Sequence, residues 1–170
     1  MNLFKNIFKS KSNSSRIKYI EKAQNLVQYA NLMAIGFQTQ IFQKFPQLKS
    51  AIKIKNWNLF CTVSATYAAF IRSGTFVKDR KLIGKLDEIV LNKLELYNPN
   101  GPGAFQDLEN FLSGILNQNQ NDITPELMES YAGAWIIWNL TDKEPIDEES
   151  VIASVLGKMF FSAFANYYEM

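Results

Sequence analysis

Paired carboxylates are the one kind of catalytic equipment this chain could carry. Its 170 residues include no histidine, which excludes Ser-His-Asp and Cys-His nucleophiles, histidine-bearing zinc and di-iron sites, and imidazole switches. Glu126 and Glu129 stand one helical turn apart, Asp107 is close to Glu109, Asp87 adjoins Glu88, and Asp147, Glu148 and Glu149 form a run. A hydrolase using two carboxylates, or carboxylates and a divalent metal, would need no more than this. Carboxylates are also what the first turn of a helix favours, because of its dipole, and these groups read as solvated helix-start charges. The expectation is a protein that is not an enzyme, with no catalytic residue, no metal and no cofactor.

The other chemical candidates are weaker. Cys61 lies among Phe60, Val63 and Ala65 with no basic neighbour, so it reads as a small buried thiol. Being the only cysteine, it leaves stability to packing and is compatible with a reducing, cytoplasmic compartment. The GPG at 101–103 lacks the lysine of a phosphate loop and is followed by Asp107, so it reads as a turn. The NQNQND at 117–122 has neither the sixth-place Gly nor the twelfth-place Glu of a calcium loop.

Charge is distributed unevenly along the chain. Residues 1–85 hold 15 Lys or Arg against Glu21 and Asp79, while residues 86–170 hold Lys93, Lys143 and Lys158 against 14 carboxylates. If helices of the two halves lie side by side, the charges cancel on a mixed surface. If they do not, the fold has a basic pole for nucleic acid or anionic lipid and an acidic pole for a basic protein.

Two segments could present such a pole. GAWIIWNL at 133–140 places Trp135 and Trp138 on one helix face, with Ile136 and Ile137 on other sides. A helix apolar all round is usually central and buried; if one Trp reaches the surface, it becomes an aromatic anchor beside the acidic TDKEPIDEES. The expected partner-binding residues are Trp135, Trp138, Asp142, Glu144, Asp147, Glu148 and Glu149.

The opening MNLFKNIFKSKSNSSR is the second segment. Leu3, Phe4, Ile7 and Phe8 would line one helical face with Lys5, Lys9 and Lys11 around the rest, the pattern of a short interfacial helix drawn to anionic lipid. The lysines interrupt any signal-peptide core, and Asn2 in place of Gly excludes myristoylation. Nucleic acid is the least favoured partner: three of the 18 cations are Arg, no nucleic-acid-binding motif is recognisable, and the acidic half repels phosphate.

These residues need helices to position them. Apolar spacing predicts helices at 16–42, capped by Ser14 or Ser15 and stopped by Phe45-Pro46; at 49–72, ended by Ser73-Gly74, with 51–55 ambiguous between helix and strand; and at 79–97. After the NPNGPG break come helices at 103–117, from Thr124-Pro125-Glu126 to TDKEP, and at 147–166. No 18-residue apolar span and no internal repeat is present. The expectation is an all-α fold, an irregular bundle of about six helices without a sheet, with residues 1–14 as a basic amphipathic segment and 15–170 as a single helical domain. The function expected is a protein-binding module of the adaptor, inhibitor or immunity-protein kind. The alternative is a peripheral membrane protein held to anionic lipid by the basic N-terminus; less favoured are a nucleic-acid binder or a carboxylate/metal hydrolase.

Overall fold

The computed structural model describes residues 3–46, 48, 54–118, 124–142 and 148–170. It is all-α, with no strand among the described residues. Before Phe45-Pro46 the chain holds no proline and the single glycine Gly36, and it forms one helix, α1, over Leu3–Lys44. The predicted start at Ser14 or Ser15 is thus corrected: Ser and Asn cost a helix interior only about half a kilocalorie each, and nothing there breaks the helix.

The helix α2 spans Ile54–Phe76 and runs through Ser73-Gly74, where a stop was predicted. Ser73 is buried and no described glycine adopts positive φ, so the residues expected to turn the chain stay helical. Residues 51–53 of the ambiguous stretch lie outside the described residues, while Ile54 and Lys55 are helical. Asp79 caps α3, Arg80–Tyr97, by accepting from the Lys81 and Leu82 amides at 3.0 and 3.3 Å.

The NPNGPG break is shorter than predicted. Asn98 Oδ1 accepts from the Asn100 amide at 2.9 Å, and GPG forms the first turn of α4, Gly101–Gln118, where a proline's missing N–H costs nothing. Thr124 caps α5, Pro125–Thr141, as expected, and Asp142 ends it at φ 59°, in the left-handed region. The last helix does not run unbroken to residue 166. It is α6, Glu148–Gly157, continued by a π-helical turn, Lys158–Ser162, and a final turn α7, Ala163–Ala165.

The helix α2 occupies the centre. The helices α1 and α3, on one hand, and α4, α5 and the π turn, on the other, all pack on it, and α6 packs on α5. Its buried Trp57 donates to the Ala34 carbonyl of α1 at 2.8 Å and meets Phe42 and Phe160 edge-on. Cys61 is fully buried, and burial pushes its thiol well up, so it is no nucleophile.

Two glycines set the α5–α6 crossing. A Cβ on Gly133 would lie 1.7 Å from the Ala153 carbonyl oxygen, and one on Gly157 would lie 1.8 Å from that of Glu129. The two helices therefore touch backbone to backbone, in antiparallel register.

The chain's end is clamped onto α1. Lys22 Nζ donates to the Tyr167 and Tyr168 carbonyls at 3.1 and 3.2 Å, and the Tyr167 hydroxyl donates to the Lys22 carbonyl at 3.0 Å. Burial holds the Tyr67 and Tyr167 hydroxyls up to about 12, from 10.0, and pushes Tyr168 higher still. These raised values mean that folding favours the neutral phenols. Their contribution is intact below pH 10 and is lost as pH climbs towards 12, at most about 1.4 kcal/mol per tyrosine per pH unit and less where solvent screens the charge. Lys22, lowered mainly by burial and then by Lys18, opposes this only up to its unfolded value of 10.5. Thermal melts between pH 9 and 11.5 should show Tm steady, then falling, with Tyr168→Phe reducing the fall. A Tm unchanged at pH 11.5 would refute this account.

Candidate binding groove

The α4 and α5 helices each bring an aromatic and a polar residue to one cleft. Phe105, Leu108 and Leu112 turn α4 inward, which leaves Asp107, Asn110 and Phe111 towards its rim. On α5, Trp135, Ile136, Ile137 and Leu140 are buried, whereas Trp138 is 43% exposed. The helix that reads as apolar all round is therefore buried on every side but one, and its outward Trp stands edge-on to Phe111 at 6.2 Å.

Trp135 is the floor. Its ring meets Phe60 edge-on at 5.4 Å, and its indole N–H donates to Asp107 Oδ2 at 2.8 Å. That bond orients the carboxylate from inside, and among the described residues no cation faces it. Asn139 Nδ2 donates to the Trp135 carbonyl at 2.9 Å, which fixes the amide beside Trp138.

The cleft between these residues holds about 380 Å³ and continues, past Asp107 and Asn139, into one of about 480 Å³ lined by Asn56, Phe60, Pro99 and Asn100. The groove thus offers one carboxylate, four asparagine amides and the faces of Phe111 and Trp138. Such a lining suits a ligand with backbone-like hydrogen-bonding groups and a positive charge, since cations favour both carboxylates and indole faces.

A separate, more apolar cleft of about 390 Å³ runs between Ile71, Arg72, Met128 and Phe161. Its carboxylate, Glu129, is already engaged by the Ser162 hydroxyl. The Glu126 carboxyl is held low by its own backbone amide and by Thr124, a helix-start arrangement, so the Glu126–Glu129 pair does not form a shared acid site. Among the described residues, no three acidic or cysteine side chains converge to hold a metal.

Of the residues predicted to bind a partner, Trp135 and Trp138 meet in the groove, the first as support and the second as exposed surface. Asp142 is exposed at the end of α5, its amide donating to the Trp138 carbonyl at 2.7 Å. Glu144 and Asp147 lie outside the described residues. Glu148 and Glu149 open α6, and their side chains also lie outside them. Leu3, Phe4, Lys5, Ile7, Phe8, Lys9 and Lys11 form the first turns of α1, with side chains outside the described residues. Asp107, Asn110, Phe111 and Asn139 were not singled out by sequence as binding residues: Asp107 read as a helix-start charge and Phe111 as core.

The charge halves meet at α3. The helix α1 carries seven Lys or Arg against Glu21 alone, and among the described residues it packs on α2 and on α3, which bears Arg80, Lys81 and Lys85 followed by Asp87, Glu88 and Glu95. No described helix is long and apolar enough to cross a membrane. Compared with protein-family models, curated proteins and solved structures, the chain matches none of them.

Proposed function

We propose that the chain is a non-enzymatic protein-binding module, of the adaptor, inhibitor or immunity-protein kind, that takes a cationic segment of a partner into the α4–α5 groove. The observation that carries this reading is Asp107, held from below by the buried Trp135, facing no cation among the described residues, and set beside the half-exposed Trp138. An aromatic anchor next to a preoriented carboxylate is the arrangement that selects Lys or Arg. The acidic surplus of the second half supports it by steering a basic partner towards this side. The reading fits a reducing cytoplasm, in which Cys61 stays a thiol.

Affinity capture from lysate, followed by titration of the captured partner, tests the site. Trp138→Ala should weaken binding by at least about tenfold, as loss of a central Trp anchor typically costs about 2 kcal/mol or more. Asp107→Asn should weaken it further and flatten its salt dependence. Trp135→Phe, which removes the indole N–H but keeps the ring, should act in the same direction as Asp107→Asn. Retention of the same partners by the Trp138→Ala, Asp107→Asn double variant would sink this proposal.

A further inference from the structure

The π turn is part of the second cleft. The Ala163 amide donates to the Lys158 carbonyl, five residues back instead of four, and such widened turns are frequent at functional sites. The turn supplies Phe161 and Ser162 to a cleft whose other walls are Ile71 and Arg72 of α2 and Met128 and Glu129 of α5. Its position is fixed, because Gly157, just before the turn, meets the Glu129 carbonyl backbone to backbone. With Ile71, Met128, Phe161 and Ala165 among its lining residues, the cleft is largely apolar.

Two opposite charges line this cleft without pairing with each other. The Arg72 guanidinium lies over the Phe76 ring at 6.0 Å, and the Glu129 carboxylate accepts the Ser162 hydroxyl through Oε1, which leaves Oε2 unused. Among the described residues, neither side chain forms an ion pair. An apolar acid in the cleft would satisfy Arg72 and set its tail beside a bare carboxylate, and an apolar amine would do the reverse. A zwitterion answers both charges. We propose that the cleft binds a free α-amino acid with an apolar side chain, its carboxylate on Arg72, its ammonium on Glu129 and its side chain against Ile71, Met128 and Phe161. The planar fork of Arg72 matches a carboxylate, and Ser162 holds Glu129 oriented before the ligand arrives. The volume of about 390 Å³ is near the lower end of the range of ligand sites, about 300–1,000 Å³, which suits a single residue rather than a chain.

Calorimetric titration of the full chain with leucine, methionine and phenylalanine, each taken to about 10 mM so that millimolar dissociation is visible, tests this. At least one should bind. Two analogues of leucine separate the charges: isocaproate, which lacks the ammonium, and isoamylamine, which lacks the carboxylate, should each bind at least about tenfold more weakly than the amino acid. Arg72→Gln should bring leucine down to the level of isoamylamine on the wild type, and Glu129→Gln should bring it down to the level of isocaproate. Both variants should keep the wild-type circular dichroism spectrum, since Arg72 is exposed and glutamine at position 129 still accepts from Ser162. No binding of any of the three amino acids, by titration or by thermal shift, overturns the proposal. So does isocaproate or isoamylamine binding as tightly as leucine, since the cleft would then read one charge alone. Leucine binding that survives both glutamine substitutions places the ligand elsewhere and overturns it too.

Discussion

Gly133→Ala is expected to lower the unfolding free energy by about 3 kcal/mol or more, the upper range for overpacking, although alanine is the best helix former. The added methyl would meet the Ala153 carbonyl oxygen at 1.7 Å, well inside contact distance, and that oxygen belongs to the backbone of another helix. No rotamer can relieve the clash, so α5 and α6 must separate. Separation would open the packing of Ile136, Ile137, Ile152 and Leu156, all fully buried. Gly157→Ala should have a similar effect through the Glu129 carbonyl.

Gly84 and Gly114 are exposed in helix interiors with nothing within 4 Å of an added Cβ. Alanine at either should stabilise by about 0.5–1 kcal/mol. Urea unfolding followed by circular dichroism separates the cases. If Gly133→Ala and Gly84→Ala shift the midpoint in the same direction, the close crossing of α5 and α6 is wrong.

Trp57→Ala should cost about 3–5 kcal/mol, a large part of the roughly 5–15 kcal/mol that holds a typical domain together. The side chain is fully buried at the start of the central helix, where it bonds to α1 through Ala34 and packs on Phe42 and on Phe160 of the π turn. Removing it leaves a void that joins the first helix to the last. Trp57→Phe keeps most of the apolar volume and forfeits the hydrogen bond, so a loss of about 1–2 kcal/mol is expected. A change below about 1 kcal/mol for Trp57→Ala in urea titration would mean that this junction is not packed as described.

Much of the fold could be read from local signals. The stripe of Leu82, Leu86, Val90 and Leu94 is spaced as α3 buries it, and the Thr124-Pro125-Glu126 start of α5 is where the backbone places it. Helix caps and stripes are legible because they depend on residues within a few positions of one another. The errors lie where such signals are weak and packing decides. Ser14 and Ser15 can cap a helix or sit inside one, and Ser73-Gly74 can end one or continue it. The GPG that looked like a loop is a first turn. Nothing in the apolar pattern of residues 147–166 announces a π turn, because the buried Phe160, Phe161 and Phe164 keep ordinary helical spacing.

The candidate groove was half legible for the same reason. A Trp-x-x-Trp pair announces aromatic surface on one helix face, yet which ring is floor and which is anchor depends on how far α4 covers α5. Asp107 could not be connected to Trp135, 28 residues away, by any spacing rule.

By itself, the sequence determined the helical class, the chemistries that a chain without histidine cannot use, and the division into a basic and an acidic half. Composition and short-range periodicity act before any two helices meet. Only the tertiary structure decided that the basic α1 lies against α3 with its acidic second half, that Trp138 rather than Trp135 faces solvent, and that Asp107 receives an indole N–H instead of a cation. Those outcomes depend on the angle and closeness at which helices pack. In this protein, closeness rests on contacts such as Gly133 against Ala153, whose partners are far apart along the chain.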